Sequence, residues 1–292
     1  MIVPMEITEK LVKVNGQNMG IYTAGEGEHL IVLLPGWNIL PAIEFAPLIR
    51  ELAKKYTVCT IDYFGYGRSD STSREHTNEN YVQEIRAALS AAGLKPPYVL
   101  MPYSCSGVYA EYYAAMHPCE IEGLVLLDST FTHEELDIGT PEDIERVQNT
   151  LIEAAESIAA ANLPPIGTKD WHEFCEEHFQ ELYPLYLPYG YTKEEANILA
   201  TTLNHIDTVI AQIDALPENV REVMLLSTKI ADTVPVLVIN AEPEDDKHER
   251  AIYARLEKLG QVKRSIIVEG SEHGDIHRHV AIIRDEIDSL LK

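Results

Sequence analysis

Short apolar runs alternate with amphipathic stretches along most of the chain. Near its start, residues 6–14 and 17–24 flank Asn15-Gly16, a pair typical of tight hairpin turns, and predict two antiparallel strands. Further apolar runs predict strands at 30–34, 57–61, 97–101, 123–127, 234–239 and 265–268. Apolar residues at helical spacing predict helices at 43–55, 79–92, 106–116, 247–259 and 278–291. This order predicts an α/β fold with an eight-stranded, mostly parallel sheet and helices on both faces.

The alternation stops between residues 131 and 230, where the pattern is helical throughout. Helices are predicted there at 141–161, 171–183 and 192–216. We interpret residues 1–130 and 231–292 as the α/β core and residues 131–230 as an inserted, all-helical cap. Because such sheets bind ligands at the carboxyl ends of their strands, we expect the cap to cover that crevice.

The acidic composition argues against several classes of partner. The chain has 47 acidic and 23 basic residues, a net charge of −24. Nucleic acids and anionic membranes are bound mainly through basic side chains, so neither is an expected partner. No segment has the roughly 18 consecutive apolar residues of a membrane span, and the first ten residues do not resemble a secretory signal. Four cysteines without C-x-x-C spacing favour a reducing, cytoplasmic location.

The segment PYSCSG, residues 102–107, joins a predicted strand directly to a predicted helix. A strand that turns so sharply strains the residue at its apex and pushes that side chain outward. The positions two before and two after the apex must be small or extended, and Pro102 and Ser106 meet this requirement for Ser104. Ser104 is therefore the candidate nucleophile. Ser106 and Cys105 fit the rule less well, because larger side chains flank them at those distances.

The order of elements around Ser104 resembles that of the α/β-hydrolase superfamily, in which nucleophile, acid and histidine follow one another along the chain. The elbow is followed here by the strand GLVLLD, the long insertion, and a last strand that leads into GSEHGDIH. VLLPGWN, residues 32–38, looks like the family's oxyanion loop, and DYFGYGRSD, residues 62–70, is similar to its Asp-x-x-Gly-x-Gly-x-Ser segment. The chain departs from the family at Pro35, where a histidine is common, and at the two missing elbow glycines.

The resemblance implies a serine hydrolase that needs no cofactor. Ser104 would attack a carbonyl carbon once a base removes its proton. The backbone N–H groups of Trp37 and Cys105 would form the oxyanion hole. Dehalogenases and epoxide hydrolases of the superfamily use an aspartate at the elbow, so Ser104 argues against both activities.

His273, just beyond the last predicted strand, is the candidate base. His277, four residues later, is expected to line the pocket or support the base. A metal site formed by His273, Asp275 and His277 is not expected, because no further ligand cluster accompanies them.

The acid has several candidates. Glu244 occupies the family's usual acid position after the strand predicted at 234–239, and a glutamate can orient an imidazole as an aspartate does. Asp128, at the end of GLVLLD, is where some members carry their acid instead. Asp245 and Glu242 are weaker alternatives.

These residues predict a carboxylic ester hydrolase that acts on a small, neutral acyl substrate through an acyl-enzyme. Amide, lactone and C–C bond hydrolysis use the same serine arrangement and stay open. The alternative from another class is a ligand-binding or signalling protein on this fold, with little or no turnover. An acyltransferase would prefer an alcohol or amine acceptor to water.

Overall fold

The computed structural model of the protein describes residues 7–129, 141–202, 204–230, 234–243, 245, 249, 252–253, 256 and 262–292. Its strands are β1 (Thr8–Val14), β2 (Gln17–Ala24), β3 (Leu30–Leu34), β4 (Thr57–Ile61), β5 (Tyr98–Pro102), β6 (Ile121–Leu127), β7 (Val236–Ala241) and β8 (Val262–Val268). They form an eight-stranded sheet in the order β1-β2-β4-β3-β5-β6-β7-β8. β2 pairs antiparallel with β1 and β4, and the other neighbouring strands are parallel. The predicted fold class is confirmed.

Helices cover both faces of the sheet. The described helices are α1 (Pro41–Glu44), α2 (Ala46–Leu52), α3 (Asn78–Ala92), α4 (Ser106–Met116), α5 (Pro141–Ala160), α6 (Lys169–His178), α7 (Tyr183–Tyr186), α8 (Lys193–Thr201), α9 (Ile206–Ile230) and α10 (Val280–Leu290). Side chains alternate along each strand, so Leu100 of β5 packs with α3 and α4, whereas Val99 and Met101 pack with α2 and α10. The core therefore has two apolar layers, one on each face of the sheet.

Two predicted helices are divided in the structure. The helix expected over 43–55 is interrupted at Phe45, because Pro47 lies in the first turn of α2 and has no N–H to continue the ladder from α1. The helix expected over 192–216 is interrupted at Thr202, whose backbone is extended. Beyond that break, α9 continues past Pro217. Burial of its apolar face against the core outweighs the local cost of that proline.

The helices between β6 and β7 are not all separate from the core. Val209, Ile213 and Leu216 of α9 are buried in the same apolar cluster as Val108 and Tyr109 of α4. The division of the chain into a core and a cap over residues 131–230 therefore stays a proposal, and α9 is continuous with the core. Among the described residues, no helix combines the length and the apolar character that crossing a bilayer requires.

The buried carboxyl of Glu84 on α3 predicts a pH-dependent stability. Glu84 is 5% exposed, and burial raises its pKa from 4.5 to about 7, against the opposing effect of Arg74. Because the folded pKa is the higher one, this residue's contribution to the free energy of unfolding falls as pH rises from about 4.5 to about 7. Relative to wild type, the free energy of unfolding of Glu84→Gln should rise by about 2 to 3 kcal/mol between pH 5 and pH 8, as measured by urea unfolding. A difference that does not change with pH would contradict this account.

Candidate active site

Ser104 lies at the apex of a strand–turn–helix. β5 ends at Pro102 and α4 begins at Ser106, so a single sharp turn joins them. The φ angle of Ser104 is 55°, in the left-handed region that residues other than glycine rarely adopt. The backbone carbonyl of Ser104 accepts a hydrogen bond from the N–H of Gly107 at 3.0 Å, which begins the helix. The turn thus holds a strained serine at the carboxyl edge of the sheet, as the sequence predicts.

His273, in the loop after β8, reaches back to this serine. Its Nε2 lies 3.0 Å from the Oγ of Ser104. The ring of Tyr103 stacks on the imidazole with centroids 5.2 Å apart and planes at 18°. The Tyr103 hydroxyl donates to the backbone carbonyl of His273 at 2.6 Å. Tyr103 therefore fixes both the ring and the backbone of the histidine.

Asp128 lies on the other side of the imidazole. Its Oδ2 is 2.5 Å from the Nδ1 of His273, and its Oδ1 accepts from the backbone N–H of Ala241 at 3.0 Å. The residue is 2% exposed and has a φ of 41°, a strained backbone that turns its carboxylate from the end of β6 towards β7. When Nδ1 donates to this carboxylate, Nε2 is left to accept the proton of the Ser104 hydroxyl.

Two other acid candidates were considered after β7, Glu244 and Glu242. Glu244 lies outside the described residues. Glu242 accepts a hydrogen bond from the backbone N–H of Gly270 at 2.7 Å, which occupies its Oε2. Among the candidate carboxylates that the structure describes, Asp128 is the one with a hydrogen bond to His273.

The backbone after β3 passes directly against the elbow. A Cβ atom at Gly36 would lie 2.9 Å from the Cβ of Ser104, closer than real Cβ contacts allow. The next residue is Trp37. Within the described residues, neither the N–H of Trp37 nor that of Cys105 donates to a backbone carbonyl. These two N–H groups lie beside the elbow and are the candidate donors for a developing oxyanion, although in the structure both also approach the sulfur of Cys105.

The two side chains that compete with Ser104 are both fully buried. Burial raises the pKa of the Cys105 thiol, although the backbone N–H groups of Trp37 and Cys105 approach the sulfur and act in the opposite direction. A protonated, inaccessible thiol is not a nucleophile. The Oγ of Ser106 donates to the carbonyl of Pro35 and lies 2.7 Å from the hydroxyl of Tyr63. Ser106 therefore joins the start of α4 to the loop after β3.

His277 is enclosed behind the elbow. It is 1% exposed, and its Nε2 lies 2.9 Å from the Oε1 of Glu44. Its ring meets that of Tyr103 edge-on, with centroids 5.5 Å apart. These contacts agree with a supporting position next to the histidine loop.

Sequence reasoning missed the roles of Tyr103 and Tyr63. Tyr103 precedes Ser104 in the elbow, and its ring contacts both His273 and His277. Tyr63 lies within the segment DYFGYGRSD, but nothing local indicates that its hydroxyl reaches Ser106. Both contacts join residues that are far apart in the chain, and no pattern in a single sequence indicates that such residues meet.

A cavity of about 570 Å³ adjoins the acid side of the histidine. The described residues that line it include Asp128, His273, Glu242 and Glu272, but not Ser104. The carboxylates in its wall give the cavity a negative electrostatic potential, which disfavours the binding of anionic molecules there.

The close approach of Gly36 predicts a loss of activity on adding one methyl group. In Gly36→Ala, the new Cβ would also lie 3.2 Å from Cδ1 of Tyr103, so the loop that carries Trp37 must move. We expect kcat/KM for p-nitrophenyl butyrate to fall roughly 10- to 100-fold. Gly274→Ala is the matched control, because a Cβ there meets nothing within 4 Å although the residue adjoins His273. Equal kcat/KM values for the two variants would contradict the assignment of the Trp37 N–H as an oxyanion donor.

The fold and this geometry agree with the comparison of the chain with known families. The sequence profile described as alpha/beta hydrolase fold matches residues 29–242, well over half of the chain. The protein belongs to the α/β-hydrolase family.

Several curated relatives match part of the chain. The serine hydrolase BPHL of Mus musculus is 32% identical over 123 residues, which cover 41% of this chain and 42% of the relative. A pimeloyl-acyl-carrier-protein methyl ester esterase of Stenotrophomonas maltophilia (strain K279a) is 34% identical over 112 residues, 38% of this chain and 40% of the relative. An uncharacterized protein of Bacillus subtilis is 34% identical over 119 residues, 40% of this chain and 37% of the relative. The matches thus span about two fifths of each relative.

Solved structures resemble the protein over nearly its whole length. A thioesterase domain from the curacin biosynthetic pathway has a TM-score of 0.68 at 18% identity, with 98% of this chain and 100% of that chain covered. E-2-(acetamidomethylene)succinate hydrolase has a TM-score of 0.65 at 17% identity, with 98% and 99% covered. At these identities the likeness concerns the fold alone.

Proposed function

We propose that the protein is a serine hydrolase that cleaves small, neutral carboxylic esters through an acyl-enzyme. The observation that carries the proposal is the chain of contacts from the Oγ of Ser104 to Nε2 of His273, and from Nδ1 of His273 to Asp128, at 3.0 and 2.5 Å. A partly buried serine, a half-exposed histidine and a buried carboxylate in this order are the arrangement that activates a hydroxyl group.

The reaction would proceed in two halves. His273 takes the proton of Ser104 at Nε2 while Oγ attacks the carbonyl carbon, and the N–H groups of Trp37 and Cys105 stabilise the oxyanion. The protonated imidazole then gives its proton to the leaving alcohol as the C–O bond breaks. Water, deprotonated by His273, attacks the acyl carbon, and the carboxylic acid leaves as the Ser104 hydroxyl re-forms. The Asp128 carboxylate keeps the imidazole oriented and stabilises its charged form throughout.

An ester is the substrate class that the comparisons favour. One relative is a serine hydrolase and another a methyl ester esterase, although each match covers about two fifths of the relative. A neutral substrate is favoured by the net charge of −24 and by the carboxylates of Glu242 and Glu272 beside the histidine. We propose further that the helices between β6 and β7 cap the acyl site and that the protein has no nucleic-acid partner.

Covalent labelling tests the proposal directly. The native protein is incubated with a fluorophosphonate ester, and its intact mass is measured beside a heat-denatured sample. An activated serine forms an Oγ–P bond and releases fluoride, so one adduct is expected on the native sample alone. Hydrolysis of p-nitrophenyl butyrate is followed in parallel. Absence of both labelling and hydrolysis would reject the proposal in favour of a ligand-binding protein.

A further inference from the structure

The loop after Trp37 is held in a strained conformation by contacts with α9 and with the residue Asn204 just before it. Asn38 has a φ of 54°, in the left-handed region. Asparagine tolerates this region better than most residues, but an isolated loop would still leave it for an extended conformation. Surrounding contacts must therefore hold the peptide in place.

One set of contacts connects Asn38 to α9 through Tyr66. The backbone N–H of Asn38 donates to the Tyr66 hydroxyl at 3.2 Å, and that hydroxyl donates to Oε1 of Gln212 at 2.5 Å. Nε2 of Gln212 in turn donates to the hydroxyl of Tyr109 on α4 at 3.2 Å. Tyr66, Tyr109 and Gln212 are all 0% exposed. Burial raises the pKa of Tyr66, so its hydroxyl stays protonated and keeps donating to the glutamine.

A second set of contacts starts from Asn204, just before α9. Its backbone N–H donates to Oδ1 of Asn38 at 3.1 Å, and its Nδ2 donates to the carbonyl of Ile39 at 3.0 Å. Its Oδ1 accepts from the N–H of Gly67 at 2.9 Å. Asn204 therefore bonds to two consecutive residues of the loop and, through Gly67, to the segment that carries Tyr66.

These contacts matter because the loop begins at a proposed oxyanion donor. The Trp37 N–H stabilises a transition state only if it points at the developing charge, and a displacement of a few tenths of an ångström weakens that hydrogen bond. Asn38 is bonded covalently to Trp37, so its strained backbone sets the direction of the peptide chain there. Before Trp37, the loop is restrained by the close packing of Gly36 against Ser104. After Trp37, it is restrained by the hydrogen bonds that involve Gln212 of α9 and Asn204.

We propose that Gln212 and Asn204 are positioning residues of the oxyanion hole, so that the segment between β6 and β7 orients the Trp37 donor as well as enclosing the substrate. The inference rests on the proposed function, because it assigns that segment a part in stabilising the transition state. A buried hydrogen-bond network restrains the loop only while each of its polar groups keeps its hydrogen-bond partner.

The effect is expected in kcat rather than in KM. Gln212→Met preserves the length of the side chain but removes the acceptor for Tyr66, and Asn204→Ala removes the side-chain bonds to Ile39 and Gly67. We expect each to lower kcat for p-nitrophenyl butyrate about 5- to 30-fold with KM within twofold, because the oxyanion is stabilised only in the transition state. Tyr66→Phe should have a similar effect. The double variant Tyr66→Phe/Gln212→Met should lose little more, since both act through one hydrogen bond.

The chain offers two matched controls. Tyr113→Phe removes a fully buried hydroxyl of α4 that bonds Glu120 at 2.7 Å and does not touch the loop. Asn219→Ala removes an asparagine of α9 that is 4% exposed and joins α9 to the core at Asn78 and His76. These variants should lose stability comparably but keep kcat near that of wild type. Equal losses of kcat in the controls and the test variants would overturn the inference.

Amide hydrogen exchange tests the inference independently of turnover. In Gln212→Met and Asn204→Ala, peptides covering residues 35–39 should exchange several-fold faster than in the wild type, and in Asn219→Ala they should not. Unchanged exchange would overturn the inference even if the wild type hydrolyses esters. Faster exchange in a protein that neither hydrolyses esters nor binds a fluorophosphonate would support the restraint and reject the proposed function instead.

Discussion

Ser104→Ala is expected to abolish fluorophosphonate labelling and to lower kcat/KM for p-nitrophenyl butyrate by about 1,000-fold or more. The variant keeps the imidazole, the buried carboxylate and both N–H donors, but no oxygen remains to attack the carbonyl carbon or the phosphorus. Residual hydrolysis should come from water that the remaining groups polarise. Intact mass and initial rates measure the two effects on the same samples.

Ser106→Ala is the control for this prediction. Ser106 is fully buried and bonded to Pro35 and Tyr63, so its loss should lower the free energy of unfolding by about 1 to 3 kcal/mol and leave labelling intact. A folded Ser106→Ala that is not labelled, or a Ser104→Ala that still is, would contradict the assignment of the nucleophile.

Asp128→Asn is expected to give the second largest loss, roughly 100- to 10,000-fold in kcat/KM, with labelling slowed to a similar degree. The asparagine fits the same space and can still accept from the N–H of Ala241. Its amide, however, can donate to Nδ1 of His273, which favours the tautomer with the proton on Nε2. That tautomer cannot accept the proton of Ser104. The variant should therefore remain folded but poorly active, which circular dichroism and rate measurements on one preparation would establish.

Glu244→Gln and Glu242→Gln are the matched controls, since each also removes one negative charge, from a residue that follows β7 in the sequence. Both should retain activity within a few-fold of wild type. If Glu244→Gln lost activity by orders of magnitude while Asp128→Asn did not, Glu244 would be the acid and the contact of Asp128 with His273 would be structural.

Local sequence patterns predicted most of the fold. The bounds of β2, β3 and β4 agree with the predicted ranges. The Asn15-Gly16 turn marks the start of β2, and β3, which is buried on both faces, reads as an unbroken apolar run. The division of α1 from α2 at Phe45 and the continuation of α9 past Pro217 were not predicted. A proline is present in both cases, but the helix is divided before Pro47 and continues through Pro217. Burial of the apolar face of α9 against the core accounts for the difference.

The candidate site was predictable to a different extent at each residue. Ser104 and His273 could be chosen because the nucleophile sits in a steric pattern of five residues and the histidine directly follows the last strand. The acid could not be chosen in this way, because the ends of β6 and β7 both carry carboxylates.

The sequence by itself determined the order of strands and helices, the sharp turn at Ser104 and the acidic character of the surface, since these depend on neighbouring residues or on composition. Only the tertiary structure decided that Asp128 meets His273 across 145 positions, that Tyr103 stacks on that histidine, and that Gln212 reaches the loop after Trp37. Such contacts depend on which strands lie side by side and on how far each loop extends. Residues distant in the chain come into contact only when the whole core is packed, and no local sequence pattern indicates which of them will do so.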